Sequence, residues 1–417
     1  MEKQEQEESE QLVHTSFWDK DPESTGARKA YLKIVIMGGM VVSVAIWCVL
    51  TIYWGAFWKT LSLVHGIHGC VVDFDGGDVG LTVSQYIGGI SAPDQLTWEV
   101  HPASMYPNGP SDLAEAIVQE KCWVGISINP GATTNLALAT TESDATYNGS
   151  LAITAYTNEA RNENAYGFLI LPNVQGPIKT VVAQYAETYV KRLSTRQNIA
   201  TILSQAPSIV TAPISFTVDN LRPFDIAVAT AVDFVGLIYL LILSFFISGQ
   251  HFNARLISGI QHRLKLRSIL ILRIVAPICT YFFISLMYSV LSLAYLVPFD
   301  RTFGKAGFVI YWMMNFCAMT ALGLALECVL SANVSVSFYP IEALPGIFRY
   351  GYASPFYNVS RAVRTILFNT KNDLALNFGV QLAWIGVSLV TLPLVQFLIR
   401  RRDVAAWNQE QEAKRLV

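Results

Sequence analysis

A chain of 417 residues with 52% hydrophobic side chains, 14% charged ones and a formal net charge of −2 has too little charge for a soluble protein of this length and no basic excess for nucleic acid. Its apolar runs are spaced as in a polytopic membrane protein: one near the N-terminus, a polar stretch over 56–224, then a crowded series through the C-terminal half.

Residues 1–12 hold Glu2, Glu5, Glu7, Glu8 and Glu10 among Gln and Ser, too few apolar groups to bury, and open a predicted disordered, acidic cytosolic tail over 1–30. The run at 34–54, within a predicted first transmembrane helix over 31–55, is flanked by Arg28, Lys29 and Lys33 and lacks a small-residue cleavage site. It reads as an uncleaved signal-anchor.

The stretch 56–224 reads as a mixed α/β domain. Residues 69–87 give an apolar strand, an Asp-Gly turn and a helix start with Asp78 as its cap; 122–131 give a second strand running into Asn129-Pro130-Gly131, with a helix from Ala132. From Ile178 to Leu203 the pattern is helical, with Lys179, Glu187, Lys191, Arg192 and Arg196 on one face, and predicts a stalk leading back to the membrane.

The runs 226–247, 274–297, 307–330 and 378–399 are each about 20 or more apolar residues, enough to cross a hydrocarbon core of roughly 30 Å, and make 225–400 a helical bundle. Orientation follows from cationic bias in short loops. Residues 249–273 hold Arg255, Arg263, Lys265, Arg267 and Arg273, with no acid from Phe234 to Phe299, and the last run ends in Arg400, Arg401 and Arg402. Both termini, including the tail 401–417, are therefore expected in the cytosol, and 56–224, with 14 acids against 8 bases, outside it. Two cytosolic ends demand an even number of crossings, so a sixth is placed between Ser331 and Tyr352, a short segment containing Pro340, Glu342 and Pro345. The alternative is five crossings with Arg400–Arg402 outside, against the positive-inside bias. The fold class expected is a polytopic α-helical membrane protein of about six transmembrane helices, with a large extracytoplasmic α/β domain inserted between helices one and two.

Ionisable groups at membrane depth are costly and hence candidates for function. Asp233, two turns into the second run, could carry a proton or meet a cation; a wetted or paired carboxylate is the structural alternative. Glu327 and Arg273 fall near the cytosolic ends of neighbouring runs, where they could pair. Asp73, Asp75 and Asp78 lack EF-hand spacing and read as a turn with a helix cap rather than a metal site. Cys48, Cys279, Cys317 and Cys328 lie in spans as apolar fillers. Cys70 and Cys122 alone face the oxidising side, as a disulfide or as two free thiols. Of the sequons at Asn148, Asn333 and Asn358, only Asn148 sits well inside the outer domain, as a glycosylation site. No metal, cofactor or catalytic constellation is expected. The Gly304-Lys305 pair lacks the surroundings of a phosphate-binding loop.

Four segments carry a resemblance: VVDFDGG at 71–77 followed by Gly80, the strand ending in NPG at 129–131, LRPFD at 221–225, and ALPGIFRYGYASPFYNVSRAVRTILF at 343–368. Over roughly residues 30–400 the chain resembles the fungal nitrosoguanidine-resistance membrane family. The stretch with Pro345, Pro355, Tyr357, Arg361 and Arg364 resembles the segment before the last span of ABC type-2 exporter permeases, and the single early span with its outer domain resembles the bacterial phage-infection protein. One departure lies at Leu330-Ser331-Ala332, where that family has a longer apolar stretch. The resemblance implies six spans, a homodimer, a role in export of, or resistance to, toxic compounds or in lipid movement, and an outer-leaflet re-entrant helix starting at Pro355 whose Arg361 and Arg364 snorkel to head groups. Residues 250–267 would then dock a separate ATPase subunit or lie on anionic membrane lipids. The competing expectation is a non-transporting integral membrane protein that organises lipids or regulates a partner; under both readings the plasma membrane is the expected location, and neither makes the chain an enzyme.

Overall fold

A computed structural model describes residues 16–18, 20–325 and 340–415. Pro22–Phe57 is one 36-residue helix, α1, a unit of its own as far as Gly55. Ile34, Val41, Val44 and Trp47 are all exposed on it.

The second unit begins with a five-stranded sheet of β1 (His68–Asp73), β2 (Thr97–His101), β3 (Val124–Ile128), β4 (Ile153–Thr157) and β5 (Phe216–Asn220), ordered β2-β1-β3-β4-β5. Only the β3–β4 pair is antiparallel. Side chains alternate across the sheet. Val71 of β1 joins Ile126, Ile153, Val83 and Ile178 on one face, while Cys70 and Val72 join Leu113 and Ile117 on the other. The covering helices are α2 (Asp78–Gly88), α3 (Pro110–Val118), α4 (Ala132–Glu142) and α5 (Leu171–Leu193). The expected stalk over 178–203 is not one: Val174, Ile178, Val181 and Tyr185 of α5 recur every three to four residues and bury against the sheet, leaving Lys179, Glu187 and Lys191 to solvent.

The Asp-rich motif after β1 is a structural knot. Asp73 accepts the N–H of Asp75 and Gly76, and Asp75 accepts those of Gly77, Gly80 and Thr133 together with the Thr133 hydroxyl. Thr133 lies in the first turn of α4, which Gly131 opens at φ +78°. The motifs at 71–80 and 129–131 thus form one tie. Gly80 is required there because a Cβ would overlap the Asp73 carboxylate. Asp78 does not cap α2, whose cap position is Gly77; it pairs with Arg192 at 2.7 Å and accepts from the Tyr185 hydroxyl.

Among the described residues, four helices are long and apolar enough to cross a membrane: Ala231–Ile257, Leu266–Ala294, Asp300–Leu324 and Leu374–Leu394. Their regular parts are α6 (Gly236–Ile257), α7 (Leu266–Ala294), α8 (Gly307–Ala325) and, after the shorter α9 (Pro355–Phe368), α10 (Leu374–Arg415). One end of this bundle abuts the sheet domain, where Arg301 pairs with Asp225 at 2.7 Å and the Thr302 hydroxyl donates to the Thr365 carbonyl. At the far end, Ser248 reaches the Gly323 carbonyl and His251 meets Thr280. The chain is therefore at the far end by Gly323 and back beside the sheet domain at Pro340–Ala343, where Ala343 joins the sheet core. The residues between, with Glu327, Cys328, Asn333 and the first part of the sixth crossing expected at 331–352, lie outside the described set. Its described part, Ile341–Ala343 and Gly346–Ala353, is 3-10 turns on the sheet-domain side and does not cross.

Candidate functional site between the sheet domain and the bundle

Helix α9 starts with Pro355 at its first position and stops at Asn369, which takes the left-handed conformation at φ +53°. Twelve of its 14 residues are buried. Arg361 and Arg364, three apart, share a face. That face does not meet head groups: Arg364 is 5% exposed, and both residues pair with acids from the sheet domain and the bundle, as a buried guanidinium requires.

Arg364 lies 2.6 Å from Glu163 and 2.8 Å from Asp233, and donates to the Ala160 carbonyl at 3.0 Å and the Ser360 hydroxyl at 3.3 Å. Arg361 pairs with Glu120 at 2.7 Å and Asp373 at 2.9 Å, and Asp373 also meets Lys371 at 3.2 Å. Arg161 closes the cluster, 3.9 Å from Glu120 and stacked 3.4 Å from the Trp123 ring centre. Burial disfavours charge on all three arginines. For Arg364 the Asp233 and Glu163 carboxylates outweigh it and hold the pKa above its ordinary value; for Arg361, Tyr357 and Glu120 do the same. Arg161 has weaker compensation, and burial pulls its pKa down. Burial pushes the Tyr357 phenol up. Trp123, Arg161, Tyr357 and both arginines of α9 line a cavity of about 30 Å³, the room of roughly one water molecule.

Glu120 reaches this cluster from an unusual backbone. It follows the end of α3 at φ +60°, where glycine is the usual residue. A side chain there costs about 1 kcal/mol, and here it delivers a nearly buried carboxylate to two arginines.

Asp233 sits in a π-helical turn, Ala231–Val235, at the head of its span and is fully buried. Arg364 is close enough for an ion pair, but the N–H directions leave both Asp233 oxygens without a hydrogen bond among the described residues. A line of buried polar groups runs on through the bundle. Ser292 meets the Tyr311 hydroxyl at 3.1 Å, Asn315 donates to Ser289, Trp312 donates to Ser285, and Ser248 meets the Tyr281 hydroxyl at 2.8 Å. On α7 the buried Tyr281, Ser285, Ser289 and Ser292 recur at helical spacing as a polar seam against α8.

The remaining candidates lie elsewhere. Arg273 is at the far end with Arg255, its expected partner Glu327 being outside the described residues. Cys70 and Cys122 are disulfide-bonded, fastening β1 to the segment entering β3, and Cys279 and Cys317 are free. Asn148 is exposed, its side-chain oxygen accepting from the Ser150 amide and hydroxyl. Sequence reasoning missed Glu120, Arg161, Glu163 and Asp373, because their partners are up to 241 residues away. A glutamate where helix α3 calls for glycine was the one local signal.

A family profile matches residues 38–332 and 330–390, and its two segments meet at the Leu330–Ala332 junction. The chain is 25% identical over 424 residues to the "Uncharacterized endoplasmic reticulum membrane protein YJR015W" of Saccharomyces cerevisiae, with 90% of this chain and 81% of the relative covered. No solved structure matches. With the four apolar helices, this makes the chain an integral membrane protein. The profile spans most of its length, and the chain belongs to the family described as protein of unknown function (DUF3533).

Proposed function

We propose that this chain is a six-span membrane protein that moves amphipathic compounds or lipids through its bundle, with the sheet domain on the extracytoplasmic side. The far-end loop, with Arg255, Arg263, Lys265, Arg267 and Arg273, supports a cytosolic position for that end, and the apolar run at 34–54 in α1 supports a crossing ahead of the sheet domain. The relative's name supports the endoplasmic reticulum membrane rather than the plasma membrane. The resemblance to a resistance family supports toxic amphiphiles as cargo. A second copy and a separate ATPase subunit remain part of the proposal, and purification in mild detergent tests both.

The observation that carries the transport reading is the series of polar pairs inside the bundle, Ser292 with Tyr311, Asn315 with Ser289, Trp312 with Ser285 and Tyr281 with Ser248, together with the buried Asp233 at the sheet-domain end. Polar contacts between spans also serve packing alone. The small size of the cavity at the ion cluster favours that second reading, a bundle that organises lipids or regulates a partner. Asp233→Asn keeps the shape of the side chain and removes its charge. At equal abundance we expect it to abolish a resistance or efflux phenotype, with Asn315→Leu behaving likewise; wild-type resistance from both variants would sink transport and leave the packing reading.

A further inference from the structure

At the far end of the bundle a cavity of about 270 Å³ opens between α6, α7, α8 and α10. Its polar wall is Arg255, Arg273, His251 and Ser248; the rest is apolar, chiefly Phe245, Phe252, Pro277 and Leu392. No carboxylate lines it among the described residues. His251 is held by Thr280 at 3.0 Å and Ser248 by Tyr281 and Gly323, so these two are occupied within the protein. Among the described residues no acid pairs with either guanidinium, and the Arg255 Nε is buried without a hydrogen-bond partner.

Two arginines of like charge facing one cavity repel each other unless an anion sits between them. A phosphate group fits both as a bidentate acceptor. The cavity also has a position: Arg255 lies in the last turn of α6, and Arg273 lies two turns into α7, the depth at which lipid phosphates sit when these helices span a bilayer. Its apolar walls run on into exposed faces at Phe245 and Phe252. Soluble phosphate has no use for such walls, whereas an acyl chain does.

We propose that this cavity binds the head group of one anionic glycerophospholipid, its phosphate between Arg255 and Arg273 and one acyl chain along Phe245, Phe252 and Leu392. The proposal rests on the membrane placement of the bundle and not on transport, so it stands whatever the outcome for Asp233. It differs from general attraction to an acidic membrane, for which the exposed loop cations Arg263, Lys265 and Arg267 suffice.

The test uses full-length protein in mild detergent, titrated with dioleoyl phosphatidylserine, dioleoyl phosphatidylcholine or inorganic phosphate, and followed by the shift in thermal unfolding. Phosphatidylserine should raise the unfolding temperature saturably, and the other two should not. The charge-assisted bonds lost in Arg255→Gln or Arg273→Gln should each weaken the apparent affinity by about tenfold, while Arg263→Gln/Lys265→Gln leaves it near wild type. Leu392→Trp keeps both charges and fills the apolar wall, so it should also abolish the shift even if an arginine variant fails to fold. An equal shift from inorganic phosphate would reassign the cavity to a soluble anion. Equal loss in the loop variant, or an undiminished shift with Leu392→Trp, would overturn the site in favour of diffuse surface binding.

Discussion

Arg364 shows how one side chain can hold two parts of a chain together. Its guanidinium is almost wholly buried and answers Glu163 from the sheet domain and Asp233 from the bundle. Such a pair is weak evidence for stability as a whole, but breaking it is costly, because it leaves a buried charge unanswered. Arg364→Met should therefore cost about 3–5 kcal/mol in detergent unfolding. Combining it with Glu163→Met and Asp233→Leu should restore most of that loss, since the three charges leave together. Arg364→Lys should not rescue, for an ammonium cannot hold a fork geometry toward two carboxylates and a carbonyl. Glu120 allows the backbone to be separated from the charge. Glu120→Ala and Glu120→Gly both remove the carboxylate, but only glycine relaxes at φ +60°, so the glycine variant should be the more stable by about 1 kcal/mol in the same melts.

At the scale of elements, the tie between β1 and the entry to β3 is covalent as well as hydrogen-bonded. The Cys70–Cys122 disulfide closes a loop with a sequence separation of 52. The chain-entropy account gives such a loop about 4 kcal/mol, so Cys70→Ser/Cys122→Ser should leave the sheet domain much more sensitive to limited proteolysis, and unchanged proteolysis would remove its structural role. Elements that depend on local pattern were legible in the sequence. The runs at 226–247, 274–297, 307–330 and 378–399 each fall largely on a described apolar helix, and the strand-turn-helix signals at 69–87 and 122–131 mark β1 with α2 and β3 with α4. The short β2, β4 and β5 gave no such signal. α5 was read as a stalk because its charged face is obvious, while its buried stripe has meaning only once the sheet is present. The ion cluster was half legible: Arg361, Arg364 and Asp233 stand out as charges among apolar residues, but a sequence carries no mark that Glu120 and Glu163 are their partners.

For the whole molecule the decisive measurement is which end faces which compartment. Single cysteines at the exposed Asn372, on the sheet-domain side, and Ser258, at the far end, are placed in a background lacking Cys48, Cys279, Cys317 and Cys328. In sealed microsomes Ser258→Cys should react with an impermeant maleimide at once, and Asn372→Cys only after the membrane is opened. Asn148 should carry a glycan removable by endoglycosidase and lost in Asn148→Gln; the reverse labelling pattern with no glycan would invert the orientation. The position of α9 also bears on the order of events during synthesis. Glu120, Glu163 and Asp233 all emerge well before residues 355–368, and domains fold broadly from the N-terminus as the chain is made. Until α9 arrives, Glu163 and Asp233 lack Arg364, and Glu120 has only the more distant Arg161 in place of Arg361. A nascent or truncated chain ending before Pro355 is thus marked as unfinished by its own unneutralised charge. The segment from Pro355 onward acts as the closing step that the earlier parts have to wait for.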